Sequence, residues 1–115
     1  MSHEIQLPRE IGNGKDREVR TLLADRSRKL VLITLRRGAL LADHSAKFPI
    51  TIQAVLGKGT LRMGADAYAL IPGVIVPVDA HVVHSVQAEP AVAIVVSFFR
   101  AGETSGEDDT TARFD

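Results

Sequence analysis

The stretch Pro72-Gly73-Val74-Ile75-Val76-Pro77-Val78-Asp79-Ala80-His81-Val82-Val83-His84-Ser85-Val86 holds two of the chain's four histidines. Pro72-Gly73 suits the centre of a type II turn, proline fixing φ and glycine supplying the positive φ that follows. Val74 to Val76 then reads as a short strand, and Pro77 ends it because proline cannot donate to a ladder. After a corner at Asp79-Ala80 a second β-branched run opens at Val82, with His84 near its start. A histidine at a strand mouth beside a tight corner is a natural place for a binding pocket.

Working outward, the punctuation repeats. Val19 to Ala24 reads as a strand, followed by the turn-like Asp25-Arg26-Ser27-Arg28. Leu30 to Leu35 is almost continuously apolar, as expected of a strand covered on both faces, and Arg36-Arg37-Gly38 closes it as a solvated strand end. Ala39 to Ala42 leads into a loop, Asp43 to Pro49. Ile50 to Leu56 is the next strand, ended by Gly57-Lys58-Gly59. Thr60 to Met63 and Ala67 to Leu70 form a hairpin around Gly64-Ala65-Asp66. Ala91 to Phe99 is the last long strand. Short strands every ten or so residues, with no helical periodicity, predict an all-β sandwich or barrel.

Met1 to Asp16 reads as an N-terminal arm with at most one short strand, Glu4 to Leu7. Residues 1–100 thus form one domain around a core at 30–99. The tail from Ala101 to Asp115 is polar and acidic, a composition that cannot offset its ordering entropy, unless Phe114 pins it to a neighbouring surface.

Composition narrows the function. With 14 Lys+Arg against 14 Asp+Glu there is no global field to attract nucleic acid or a membrane surface. The five aromatics, four Phe and one Tyr, are too few for stacking platforms along a nucleic-acid strand. The absence of cysteine excludes disulfides, thiolate metal sites and a cysteine nucleophile. No apolar run approaches the ~20 residues that span a bilayer, and Met1-Ser2-His3-Glu4 lacks the blocks of a signal peptide. A cytoplasmic protein is expected.

The order of turns and histidines resembles the cupins, small double-stranded β-helix (jelly-roll) barrels related to RmlC. Their first motif runs glycine, five residues, histidine, one residue, histidine, three or four residues, glutamate, six residues, glycine. Here Gly38, His44 and Gly57 keep that spacing, but Ala46 stands at the second histidine position and Ile50 at the glutamate. Their second motif runs glycine, five residues, proline, one residue, glycine, two residues, histidine. Gly73 and His84 keep it, with Asp79 and His81 at the proline and glycine positions. The resemblance implies a barrel with a degenerate metal motif.

It also implies a divalent ion (Fe, Mn, Ni, Zn or Cu) on the residues matching the ligands, of which His44 and His84 survive. His81 completes a set of three if the corner turns it inward, and otherwise is a loop histidine. Gln53 faces outward if Ile50, Ile52 and Ala54 line the barrel; in the opposite register it enters the pocket beside Thr51 and binds a ligand there. Asp43 and Asp79 are candidate bases, each in a turn where aspartate caps its own backbone. Met63 belongs to the core.

Two function classes follow. One is a metal-assisted enzyme (dioxygenase, isomerase or decarboxylase), the other a metal-free module that binds or senses a small molecule. Epimerase chemistry needs a tyrosine acid, and the one tyrosine, Tyr68, sits at a hairpin. Apolar residues on both faces of three strands predict a two-fold homodimer packed sheet on sheet.

Overall fold

The computed structural model describes residues 4–100. They form seven strands and no helix: β1 (Arg17–Ala24), β2 (Arg28–Leu35), β3 (Leu40–His44), β4 (Ile50–Met63), β5 (Asp66–Leu70), β6 (Ile75–Val78) and β7 (His84–Phe99). Among the described residues no helix is long and apolar enough to cross a membrane. His3 and the tail with Phe114 lie outside the described residues.

The long strands β4 and β7 pair antiparallel along most of their length, from Ile50↔Phe98 to Arg62↔Ser85. Each is bent in the middle, so each serves two sheets. The first half of β4 and the second half of β7 lie between β6 on one side and β2 and β1 on the other. The second half of β4 and the first half of β7 lie between β5 and β3. Both sheets turn their apolar sides to one core, in which Leu41, Leu61, Leu70 and Val86 from one meet Leu35, Ile52, Val76 and Ile94 from the other. The result is the expected all-β double-stranded β-helix.

The bend has a local cause. Register shifts fall between Ala54 and Leu56 and between Gly57 and Gly59. Gly57 has φ +76°, and a Cβ there would collide with the Ala91 carbonyl oxygen. At Gly59 a Cβ would lie 2.7 Å from the Gln87 carbonyl oxygen. Two bulges on glycine let β4 press onto β7 where any side chain would hold it off. Gly57-Lys58-Gly59 therefore bends a strand that the sequence reading has it end. β7 runs unbroken from His84 to Phe99, so the strand expected to open at Val82 and the one expected from Ala91 are a single strand.

Other expectations hold in detail. Val74 N donates to the Ile71 carbonyl at 3.1 Å, with Gly73 at φ +101°, as a type II turn over Pro72-Gly73 requires. β4 and β5 meet across Gly64-Ala65, with Met63 opposite Asp66. Met63 is half-buried against the core. Pro77 does not end its strand: it sits opposite Thr51 within β6, exposed and at a sheet edge, where its missing N–H costs no ladder bond.

The N-terminal arm contains no strand at Glu4 to Leu7. It is fastened by Arg36, which is buried rather than the solvated strand end expected. Its Nε donates to the Gly12 carbonyl at 3.0 Å, Nη2 to Ile11 at 2.9 Å, and Nη1 to Lys15 at 2.8 Å and to the Glu18 carboxylate at 2.5 Å. Four of the guanidinium's five N–H donors are thus used. Arg37 adds bonds to Asp16 Oδ1 and the Gly14 carbonyl. So held, Ile11 packs with Leu22, Val55 and Leu56 against Leu32, Ala93 and Val95 on the outer face. That part of the second apolar face is covered by the chain itself, which removes part of the sequence argument for a dimer.

Replacing Gly57 with Ala should cost about 3 kcal/mol or more, combining a left-handed backbone penalty with a backbone collision. Gly64→Ala, also at positive φ (+57°) but with open space around it, should cost only about 1 kcal/mol. Urea denaturation of both variants checks the difference, and equal losses would contradict the close-approach account of the bend.

Candidate functional site

Between the two sheets lies a cavity of about 410 Å³. Strand parity builds its walls. On β2 the inward positions Lys29, Val31 and Ile33 line it; on β7, Ile94, Val96 and Phe98, with Arg100 continuing the same parity just past the strand; on β4, Ile50 and Ile52. The opposite wall carries Leu41 and His44 from β3 and His84 from the start of β7, and residues 45–48 of the β3–β4 loop complete the mouth.

The two histidines meet because β3 and β7 place them opposite one another. Their ring centroids are 4.2 Å apart, with planes inclined at 57°. His84 is 1 % exposed, while His44 is open to solvent. Each ring is fixed by the chain two residues back: His44 Nδ1 lies 2.9 Å from the Ala42 carbonyl, and His84 Nδ1 lies 3.0 Å from the Val82 carbonyl. A carbonyl can only accept, so Nδ1 carries the hydrogen in both rings. In the neutral ring Nε2 is then the atom with the free lone pair. In His84 that Nε2 is buried and has no hydrogen-bond partner. A buried acceptor left unpaired costs about 1–3 kcal/mol, at least as much as the bond at Nδ1 returns.

The other expected site residues lie elsewhere. His81 has φ +68° and is exposed in the loop before β7, its N–H donated to the Ala46 carbonyl at 2.7 Å. Its side chain does not line the cavity. Gln53 alternates with Ile50, Ile52 and Ala54, the buried positions of β4, and stands opposite Ile75 and Val95. The observed register is the outward one, so Gln53 is not among the lining residues. Asp43 and Asp79 are exposed and are not among the residues lining this cavity; the Asp79 carbonyl closes a turn to the Val82 N–H. Among the described residues no three His, Cys, Asp or Glu side chains are grouped as a metal would need. The pair His44 and His84 stands alone, short of the three protein ligands usual for a catalytic zinc.

The sequence reading missed the basic lining residues Lys29, Lys47 and Arg100 and the aromatic ones Phe48 and Phe98. Parity was the available signal for two of the three cations. Lys29 is in step with Val31 and Ile33, and Arg100 with Ile94, Val96 and Phe98, so a barrel with those residues inside must place both cations at its mouth.

This architecture is the cupin fold, a double-stranded β-helix whose pocket opens between its two sheets. A cupin superfamily protein from Desulfitobacterium hafniense DCB-2 superposes with TM-score 0.71 over 76% of this chain and 81% of its own, at 11% identity. An RmlC-like cupin from Shewanella frigidimarina NCIMB 400 gives 0.70 over 78% and 81%, at 20% identity. The DMSP lyase DddQ from Ruegeria pomeroyi DSS-3 gives 0.70 over 78% of this chain and 50% of its own, at 15% identity. No protein-family model and no curated protein matches the sequence.

Burial pushes the His84 imidazole below its ordinary value, and the neighbouring His44 ring works in the same direction; the Val82 carbonyl and the Asp43 charge oppose them. With the folded value depressed, the unfolded chain binds more protons just below the ordinary histidine value. The neutral ring's contribution is then complete above about pH 6.5 and is lost as pH falls through the folded value. An NMR titration should place the His84 Cε1–H midpoint below 6.5. The melting temperature of the wild type should fall more than that of His84→Gln between pH 7 and 5. A midpoint at or above 6.5 would contradict the buried, neutral assignment.

Proposed function

We propose that the protein binds a small organic molecule in the cavity, with His84 Nε2 as its polar anchor. The observation that carries this reading is an otherwise largely apolar cavity with His84 in its lining, the buried Nε2 of that ring having no hydrogen-bond partner in the protein. A ligand hydroxyl or amide N–H would supply the missing donor, and the aliphatic walls would take the rest of the molecule. The volume falls within the range of small-molecule sites. The fold is shared by proteins of differing activity, among them the lyase above, so fold alone assigns no reaction.

A second reading is favoured by the shared tautomer. Both imidazoles have Nδ1 tied to a carbonyl, the arrangement that orients a histidine to bind metal through Nε2. A divalent Fe, Mn, Ni, Zn or Cu ion would be held by His44 and His84, and when bound it supplies Lewis acidity toward a ligand oxygen. Two imidazoles do not by themselves make a resident catalytic site. This reading therefore ranks second, and with it any dioxygenase, isomerase or decarboxylase activity. The two-fold homodimer and a cytoplasmic location belong to the proposal as well; both rest on composition and patterning.

A thermal-shift screen with a chemically mixed library should yield ligands that stabilise the wild type. His84→Ala should weaken them about tenfold or more, and Ile52→Trp, which fills the cavity, should abolish them. A screen in which no compound depends on Ile52 or His84 would sink the binding proposal. Elemental analysis of protein purified without chelator decides the rank of the two readings. Well below one metal per chain is expected; near-stoichiometric metal that disappears in His44→Ala would put the metal reading first.

A further inference from the structure

From the cations at the mouth we infer that the ligand is an organic anion, a carboxylate on an apolar body, lying with its charged end between Lys29, Lys47 and Arg100. This rests on the proposed binding role of the cavity and goes further by fixing the ligand's charge and orientation.

Three basic side chains and no carboxylate contribute to the lining. The chain as a whole is neutral, with 14 basic and 14 acidic residues, so this is local segregation and not a general excess. Among the described residues the three ion pairs are Arg28–Asp25, Arg36–Glu18 and Arg37–Asp16, and none involves a cation of the mouth. The nearest acid in sequence to Lys29, Asp25, has its carboxylate engaged by Arg28 and by the backbone N–H of Ser27.

What holds the cations in place leaves their charge available. Lys29 Nζ lies 5.7 Å from the centre of the Phe98 ring, a cation–π contact that positions the ammonium without neutralising it. Arg100 Nη1 donates to the Asp25 carbonyl at 2.9 Å, which uses one of five donors. Like charges gathered at the rim of an apolar cavity repel one another and focus a positive potential into it. A carboxylate relieves that repulsion and can take charge-assisted hydrogen bonds from lysine and arginine together. Besides the donor proposed for His84, the lining thus asks for an anion at its cations.

The test compares acid and amide of one shape: benzoate with benzamide, phenylacetate with phenylacetamide, hexanoate with hexanamide, by calorimetry at low ionic strength. Each carboxylate should bind about tenfold tighter than its amide, and the gap should shrink in high salt. The triple substitution Lys29→Met, Lys47→Met and Arg100→Met should erase the preference and leave amide affinity within about twofold. Lys58→Met, outside the lining, should retain it. Equal binding of acid and amide, or a preference that survives the triple substitution, would overturn the anion assignment. Neutral library compounds that bind in an Ile52→Trp-sensitive way while the acids do not would overturn it too, yet leave the binding proposal intact. If nothing of any charge binds, both fall.

Discussion

The ladder between β4 and β7, and the bend that both strands make in it, is the constraint on which the rest of the molecule depends. Two sheets share these strands, so the angle between the sheets is set where Gly57 and Gly59 allow β4 to lie against β7. The cavity follows directly. His84 begins β7 on one wall, and Ile94, Val96 and Phe98, further along the same strand, form the other. A single strand thus contributes the buried histidine and the apolar wall on the other side. Any change in the bend moves one against the other.

Much of the fold was legible in the sequence because turn chemistry is local. Pro72-Gly73 and Gly64 act through their own φ, and the structure uses them as expected. Gly57-Lys58-Gly59 was misread because its role is set by Ala91 and Gln87, more than 25 residues away in sequence. No local rule distinguishes a glycine that ends a strand from one that lets two strands touch. Pro77 was misread in a related way: its effect depends on whether its strand lies at an edge, which is a property of the sheet.

The site was legible in part. His44 and His84 were found through a spacing, and the pairing of β3 with β7 brings their rings together. Gln53 could not be placed, since a strand apolar on both faces carries no sign of its register. The lysine and arginine of the rim were overlooked because charge at a strand end reads as solvation. Arg36 shows the same limit, for its partners are carbonyls, which the sequence does not display. The buried imidazole of His84 has no protein partner at Nε2, and an unsatisfied buried polar atom is a feature that functional sites retain.

The position of β7 also governs how the molecule must be made. The last strand among the described residues is interior to both sheets, flanked by β2 and β4 in one and by β3 and β4 in the other. As the polypeptide leaves the ribosome, β1 with β2 and β4 with β5 can close as local hairpins, but neither sheet has its centre until residue 99 is free. β2, β3 and β4 each keep an edge unpaired until β7 adds to them. Topology of this kind makes folding slow and nearly all-or-none, and it leaves strand edges open to aggregation until β7 is in place.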